Sequence, residues 1–440
     1  MAMLIKEDII KQAADIGVRF VRLQFTDIFG VMKNVSIPVG QLEKALDGEL
    51  MFDGSSIDGF ARIEESDMYL RPDYRTWSVM PHNPQTARFI CDVYNADNTP
   101  FPGDPRHVLR LALAEAARLG YSMNVGPEME FFLFRVDDEG KPTLKTQDSA
   151  SYFDLAPVDL GEAARREMVL DLESMDFEVE ASHHESAPGQ HEIDFKYADA
   201  LPAADNVQTF KFVVRQVAQQ HGLHATFMPK PIYGIAGSGM HVNQSLFRDG
   251  QNIFYDGHGE RGLSQEAYYY LGGLLHHAPA LTAILNPTVN SYKRLVSGYE
   301  APVYVAWAEK NRSPLVRIPS KRGKSTRMEL RSPDPSCNPY LAFAVMLMAG
   351  LDGIKNKISP PAPVECNIFR LNDAERRDMS LPLLPGTLKE ALEAMRNSQL
   401  VMNTLGEHIS RLFYDAKLLE WEEYSADISQ WEIDRYLSKF

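Results

Sequence analysis

Residues 181–195 read ASHHESAPGQHEIDF, and their interpretation decides what kind of sheet the chain builds. Three histidines and three carboxylates crowd fifteen positions, yet Ile193 and Phe195 alternate with the charged residues as in a half-buried strand. Taking Pro188-Gly189 as a two-residue turn, the segment is a β-hairpin with Glu185 directly opposite Glu192. Like charges at facing positions destabilise a hairpin. Taken alone, the pair fits a solvated face as well as a site.

Other segments repeat the pattern. In GPEMEFFLF (126–134), Glu128 and Glu130 lie two apart and share one face of a strand. In GSGMHVNQS (237–245), His241, Asn243 and Ser245 share a face while Met240 and Val242 point away. In TRMELR (326–331), Arg327, Glu329 and Arg331 do the same. Five glutamates and one histidine on one sheet surface repel unless cations sit among them. Such an oxygen-rich set suits Mg²⁺ or Mn²⁺ rather than zinc, and it is large enough for two ions. His183, His184 and His191 have no thiolate beside them, and we read them as supporting groups.

Working outward, residues 4–17 predict a helix, VRFVRLQFTDIFGVMKNVSIP a hairpin turning near Asp27–Gly30, and TARFICDVYN (86–95) a strand. NADNTPFPGDPR (95–106) reads as a linker, and HVLRLALAEAARLG as a helix ending at Gly120. Strands and helices then alternate to the C-terminus, where the long helical stretch reads as a packing or assembly element. The class is α+β: a small β-rich domain over 1–103 and a large domain with helices over 104–440.

The 440 residues exceed what one compact core usually holds. A net charge of −15 argues against nucleic-acid binding. Three scattered cysteines and no signal-peptide pattern point to a reducing cytoplasm, and the longest apolar run, LAFAVMLMAGL (341–351), is too short to span a bilayer. Within this acidic chain, the stretch from Lys293 to Arg331 holds ten Lys/Arg against three acids. Arg317 sits there in the apolar frame LVRIP. We read the stretch as a clamp for polyphosphate and carboxylate groups. Paired divalent ions beside arginines suit phosphoryl transfer from a nucleotide, and no P-loop pattern is present.

Seven ordered motifs, MFDGSSIDGF, GPEMEFFLF, SHHESAPGQHEIDF, KPIYGIAGSGMH, NPTVNSYKRLVSGYEAP, NRSPLVRIP and MELRSPDPSCNPY, resemble type I glutamine synthetases of the shorter alpha subtype. The resemblance implies a β-grasp-like N-terminal domain and a catalytic domain with a curved antiparallel sheet flanked by helices. It also implies a homo-dodecamer of two hexameric rings, with each active site shared between neighbouring subunits. One Mg²⁺ would take Glu130, Glu185 and Glu192, and the other Glu128, His241 and Glu329, with Mn²⁺ as a possible substitute. Gly237, Arg294, Glu300, Arg312 and Arg331 would serve glutamate. Glu180, Asn243, Ser245, Arg312, Arg317, Lys324 and Arg327 would serve ATP. Asp53 would accept the ammonium proton, Glu300 would close over the intermediate, and Arg312 would assist the chemistry. The implied reaction joins ammonium to L-glutamate through γ-glutamyl phosphate.

Arg62 matches a residue used in glutamine feedback, and the resemblance implies a nitrogen-responsive transcription regulator as a partner. Two positions depart from relatives: Ala236, where Asn is common beside the glutamate site, and Phe369, where larger enzymes carry a modifiable tyrosine. The competing readings are a γ-glutamyl ligase for a larger amine and a non-catalytic assembly protein. The intact DGSS at 53–56 argues against the first, and the presence of all six expected ligands argues against the second.

Overall fold

Some strands of the N-terminal part alternate buried and open residues, whereas its long central strand is buried on both faces over residues 86–91. The structure, a computed structural model, describes residues 4–440 except 58, 60–66, 297, 299–300, 367, 369–374, 376–378 and 380. Helix α1 (Lys6–Ile16) ends at Gly17, whose positive φ of 79° terminates it. The predicted hairpin forms from β1 (Phe20–Thr26) and β2 (Met32–Pro38). Asp27 Oδ1 accepts the amides of Phe29 and Val31 at 3.0 and 2.9 Å, which tightens its turn. With β3 (Leu50–Asp53), β4 (Asp67–Pro72), β5 (Ser78–Met80) and β6 (Asn83–Asn95), these strands make a sheet in the order β2-β1-β6-β4-β3, with β5 beside β6. Only the β1–β6 pair is parallel. Leu23, Phe25, Leu70 and Phe89 fill the core beneath.

The segment read as a linker is packed, not loose. Phe101 is buried, and buried Asp104 accepts the Val93 amide at 3.0 Å. Asp104 also caps α3 (Pro105–Arg118), with Pro105 in the first turn.

The second sheet is built on β7 (Ser122–Val136), flanked on one side by β9 (Val179–His184) and β10 (Gln190–Phe195) and on the other by β13 (Met240–Arg248). The sheet continues through β17 (Met328–Leu330), β16 (Val316–Arg317) and β15 (Trp307–Ala308). These pairings are antiparallel except β15–β16. Behind the sheet pack α3, α4 (Glu162–Ser174), α5 (Ala200–Gln220) and two long apolar helices, α6 (Gln265–Leu285) and α8 (Pro339–Asn356). The run 341–351 lies wholly inside α8, as expected, and buries Phe343, Met346 and Leu347. Helices α6 and α8 approach closely: a Cβ on Gly273 would fall 2.1 Å from the Ala349 carbonyl. No described helix is long and apolar enough to cross a membrane.

The two parts dock through named contacts. Ile28 at the hairpin tip and Met80 bury into the core of the large part. Asn338 donates to the carbonyls of Asp27 and Ile28 at 3.0 and 3.3 Å. Arg106 on α3 meets Asp73 and Asp92 of the first sheet and Asp205 of α5 at 2.6–2.8 Å.

Candidate active site

Strand register carries the polar residues into one row. Glu192 pairs with Glu130 and Asp194 with Glu128 across β10–β7. His241 pairs with Glu128 across β13–β7, Asn243 with Glu329 across β13–β17, and Arg317 with Glu329 across β16–β17. Because alternate residues of a strand share a face, five neighbouring strands place their polar groups side by side.

The hairpin differs from the expected register. Glu192 faces His183, and His191 faces His184. Glu185 lies just past β9, where its amide donates to the Gln190 carbonyl at 2.8 Å. The connection is longer because Ala187–Gln190 form a turn closed by Gln190 N–H on the Ala187 carbonyl, 3.0 Å. Pro188 and Gly189 occupy its centre, and Gly189 takes the positive φ of 70° that such a turn requires. Glu185 nevertheless reaches the row. His183, Glu185 and Glu192 offer ligand atoms within 4.8 Å of one another, as do Glu128, His241 and Glu329.

Within the second group, His241 Nδ1 and Glu128 Oε2 are 3.2 Å apart, and Asn243 donates to Glu128 Oε1 at 2.9 Å. Glu329 is fully buried between the guanidinium groups of Arg317 and Arg331, both hydrogen-bonded to it. Glu130 accepts the Gly239 amide and the Gln190 side chain, each at 2.9 Å, and its other oxygen lies 4.0 Å from His241 Nε2.

The row is electrostatically frustrated. Burial, then the charge of Glu185, pushes Glu130 up to about 8. Burial, then Glu130 and Asp194, pushes Glu192 up to about 12. Burial also opposes ionisation of Glu128, but the hydrogen bond and charge of His241 outweigh it and hold this carboxyl at about 2. Carboxylates this close need positive charge between them. Space is available as well. A Cβ on Gly239 would fall 2.6 Å from Arg294 Nη2, 3.1 Å from His241 Nε2 and 3.3 Å from Glu130 Oε1, so the missing side chain leaves a cradle among these groups. Oxygen donors, one or two imidazoles and this cradle fit hard divalent cations.

Arg294 is buried and anchored by the carbonyls of Ser332 at 2.7 Å and Arg331 at 3.2 Å. Gly237 lies beside it: a Cβ there would meet the Pro229 carbonyl at 2.3 Å and Arg294 Cγ at 3.4 Å. Glu180, Asn243, Ser245, Lys324 and Arg327 share one cleft of about 360 Å³ with Glu128 and Asp194. Arg327 Nε donates to Asn243 at 2.8 Å. Arg312 and Arg317, also expected at the nucleotide, are not among the walls of that cleft. Arg317 is engaged by Glu329, and Arg312 lies close to Tyr152. Asp53 stands at the exposed end of β3, bonded to the amide and hydroxyl of Ser55 at 2.8 and 2.7 Å. Ala236 packs on Phe132 and Phe134. Glu300, Arg62 and Phe369 lie outside the described residues.

Sequence reading passed over Asp194, a half-buried carboxyl that desolvation pushes up to about 7, and did not give His183 a place among the acids. Asp194 was visible in the alternation of QHEIDF, since it lies two residues from Glu192. His184 and His191 do support the hairpin. His184 contacts Asp148 at 3.2 Å, and His191 lies between Gln147 and Arg165, both at 2.8 Å.

Comparison with known proteins agrees with this geometry. Residues 17–96 match the family model described as glutamine synthetase, beta-Grasp domain, and residues 102–436 match glutamine synthetase, catalytic domain. A glutamine synthetase of Clostridium saccharobutylicum is 59% identical over the full length of both chains. One from Staphylococcus aureus is 57% identical over 99% of this chain and 98% of its own. Among solved structures, one titled GmaS/ADP complex superposes with a TM-score of 0.90 at 33% identity, covering 98% of this chain and 99% of that one. The β-grasp sheet, the acid-lined curved sheet and relatives matched from end to end lead to one conclusion: the chain belongs to the glutamine synthetase family.

Proposed function

We propose that the protein ligates ammonia to L-glutamate with cleavage of ATP to ADP and phosphate. The observation that carries this reading is the row from Arg317 through Glu329, His241, Glu128, Glu130 and Glu192, in which four acids and a histidine stand side by side on adjoining strands with an arginine at one end. Glu130, Glu185 and Glu192, with His183 beside them, would hold one divalent cation, and Glu128, His241 and Glu329 a second. Mg²⁺ fits this donor set and Mn²⁺ is a possible substitute. When bound, the cations would neutralise charge on the transferring phosphoryl group.

The protein's own groups supply the rest. Glu180, Asn243, Ser245, Lys324 and Arg327 would seat the nucleotide. Arg294, Arg331 and the Gly237 backbone would orient glutamate. A γ-carboxylate oxygen then bonds to the γ-phosphorus of ATP as the bond to ADP breaks. The resulting acyl phosphate has a good leaving group, which a free carboxylate lacks. Ammonium gives a proton to Asp53 of an adjacent subunit, and the freed ammonia forms the amide as phosphate departs. The hydrogen bonds from Ser55 hold the Asp53 carboxyl below the ordinary range, which keeps it anionic and able to attract ammonium. In this chain it bonds Ser55 at the rim of the first sheet, which supports a role in a neighbour's site and so a ring assembly. Arg312 would act on the phosphoryl group and Glu300 as a lid over the intermediate. Arg317 bonds Glu329, so its part toward ATP would be to position that ligand. Glutamine feedback through Arg62, a regulator-protein partner and a cytoplasmic location complete the proposal on sequence grounds.

Phosphate release from ATP plus glutamate, with and without ammonium and Mg²⁺, tests the reading. Release that needs both additions supports it, and release indifferent to ammonium refutes it. The larger-amine alternative is not favoured, since relatives at 57–59% identity along the whole chain carry the glutamine synthetase name.

A further inference from the structure

Beneath the N-terminal hairpin lies a second cleft, of about 870 Å³, that the ligase chemistry does not use. It runs between β1, the hairpin tip at 29–32, α5 and the segment 288–290. Its walls carry Arg22 from β1 and Lys211 and Arg215 from α5.

Lys211 is the informative residue. Its side chain is buried, and its ammonium donates to one protein acceptor, the Cys337 carbonyl at 3.1 Å, although an ammonium has three donors. Burial pushes its pKa down to about 8, which leaves it mostly cationic at neutral pH. Among the described residues, none of Arg22, Lys211 and Arg215 forms an ion pair with a carboxylate. Arg22 and Arg215 instead rest 5.8 and 5.2 Å from the ring centres of Phe212 and Phe227. The acids nearby are engaged elsewhere. Glu420 accepts from the Val289 amide and from Lys417, and Asp334 from Ser336 and Asn286. Contrast Arg106, equally buried, whose charge is met by three aspartates. A buried ammonium beside a half-buried Arg22 and an exposed Arg215, with no counter-charge of its own, is costly unless something negative joins it.

We propose that this cleft binds a small organic dianion, with its carboxylate or phosphate groups held by Arg22, Lys211 and Arg215 and its carbon skeleton against Phe29, Met32 and Phe212. The wall also includes Asn290, whose side chain makes two hydrogen bonds to the Lys230 backbone, at 2.8 and 3.0 Å, just ahead of Arg294 in the chain. Occupancy would therefore change the KM for glutamate more than kcat. That coupling rests on the ligase reading, whereas the binding does not.

The test is titration calorimetry on the full-length, metal-free protein without glutamate, the variants below separating binding in this cleft from binding at the glutamate site. The probes are succinate for a dicarboxylate and glycerol 2-phosphate for a phosphate ester, and the better binder identifies the source of the charge. The double variant Arg22→Gln/Arg215→Gln should lose at least about tenfold in affinity for that probe while keeping its assembly state. Arg215→Gln alone, on the outer face of α5, should lose part of it and guards against misfolding of the double variant. Equal affinity in wild type and variants, or no binding of either probe to the wild type at about 10 mM, overturns the proposal.

Discussion

Glu130 and Glu192 retain protons because burial and neighbouring acids make a second negative charge too costly. A carboxyl whose folded pKa exceeds its unfolded value contributes stability below the unfolded pKa, and that contribution is lost as pH rises through the folded one. For Glu130 the window runs from about 4.5 to about 8. The metal-free protein should therefore lose melting temperature across that window, and Glu130→Gln should lose less, so that the two curves diverge with rising pH. Parallel curves would show that Glu130 is ionised throughout. Cations must displace these protons, so Mg²⁺ affinity measured by calorimetry should rise over the same interval. A companion experiment concerns turnover. Glu130→Gln, Glu185→Gln and Glu329→Gln should each abolish synthesis. The first two should leave the metal-free melting temperature unchanged or higher, whereas Glu329→Gln should lower it by removing the counter-charge of Arg317 and Arg331. Near-normal turnover at saturating Mg²⁺ would remove that residue from the proposed ligands.

At the scale of the element, the β9–β10 hairpin shows what the sequence disclosed and what it hid. Period-two spacing was enough to bring Glu128, Glu130, His241, Asn243 and Glu329 onto one surface, because the pleat allows no other outcome. It was not enough to set the hairpin register. That depended on the turn closed at Ala187–Gln190, where a left-handed Gly189 adds residues to the loop and moves Glu192 opposite His183. The β1–β2 hairpin was legible because Asp27 and Gly30 are strong turn formers close to the strand ends. The grip of Arg317 on Glu329 was hidden, since it depends on the approach of β16 to β17 across a gap of ten residues, whereas Arg331 was visible two residues along the same face. Gly189→Ala tests how far the turn sets the site. A Cβ there would lie 3.0 Å from both Gln147 Oε1 and the Leu133 carbonyl, in a backbone conformation disfavoured for alanine. We expect a loss of about 1–3 kcal/mol in denaturant unfolding and a higher Mg²⁺ requirement. Unchanged values for both would mean that the loop relaxes without moving Glu185.

At the scale of the whole molecule, Asp53 belongs to one sheet and the acidic row to another, so the proposed ring assembly makes a direct prediction. Inactive Asp53→Ala and inactive Arg331→Ala proteins, mixed and allowed to exchange subunits, should regain part of the activity. Verified mixed oligomers without activity would count against a site shared between subunits. Within a single chain, Arg106 has a different bearing. It is held by Asp73 just past β4, by Asp92 of β6 and by Asp205 of α5, so parting the two cores would strip Asp92 of its counter-charge at a cost of about 3–5 kcal/mol. Heating should therefore melt the β-grasp and the catalytic core together, as one cooperative event in differential scanning calorimetry. Arg106→Met should divide that peak in two, and a wild-type thermogram already divided would show that the seam does not couple them. A chain joined in this way cannot shed its small domain, or lend it to another protein, without first finding a new counter-ion for Asp92, whose ion pairs among the described residues all come from α3.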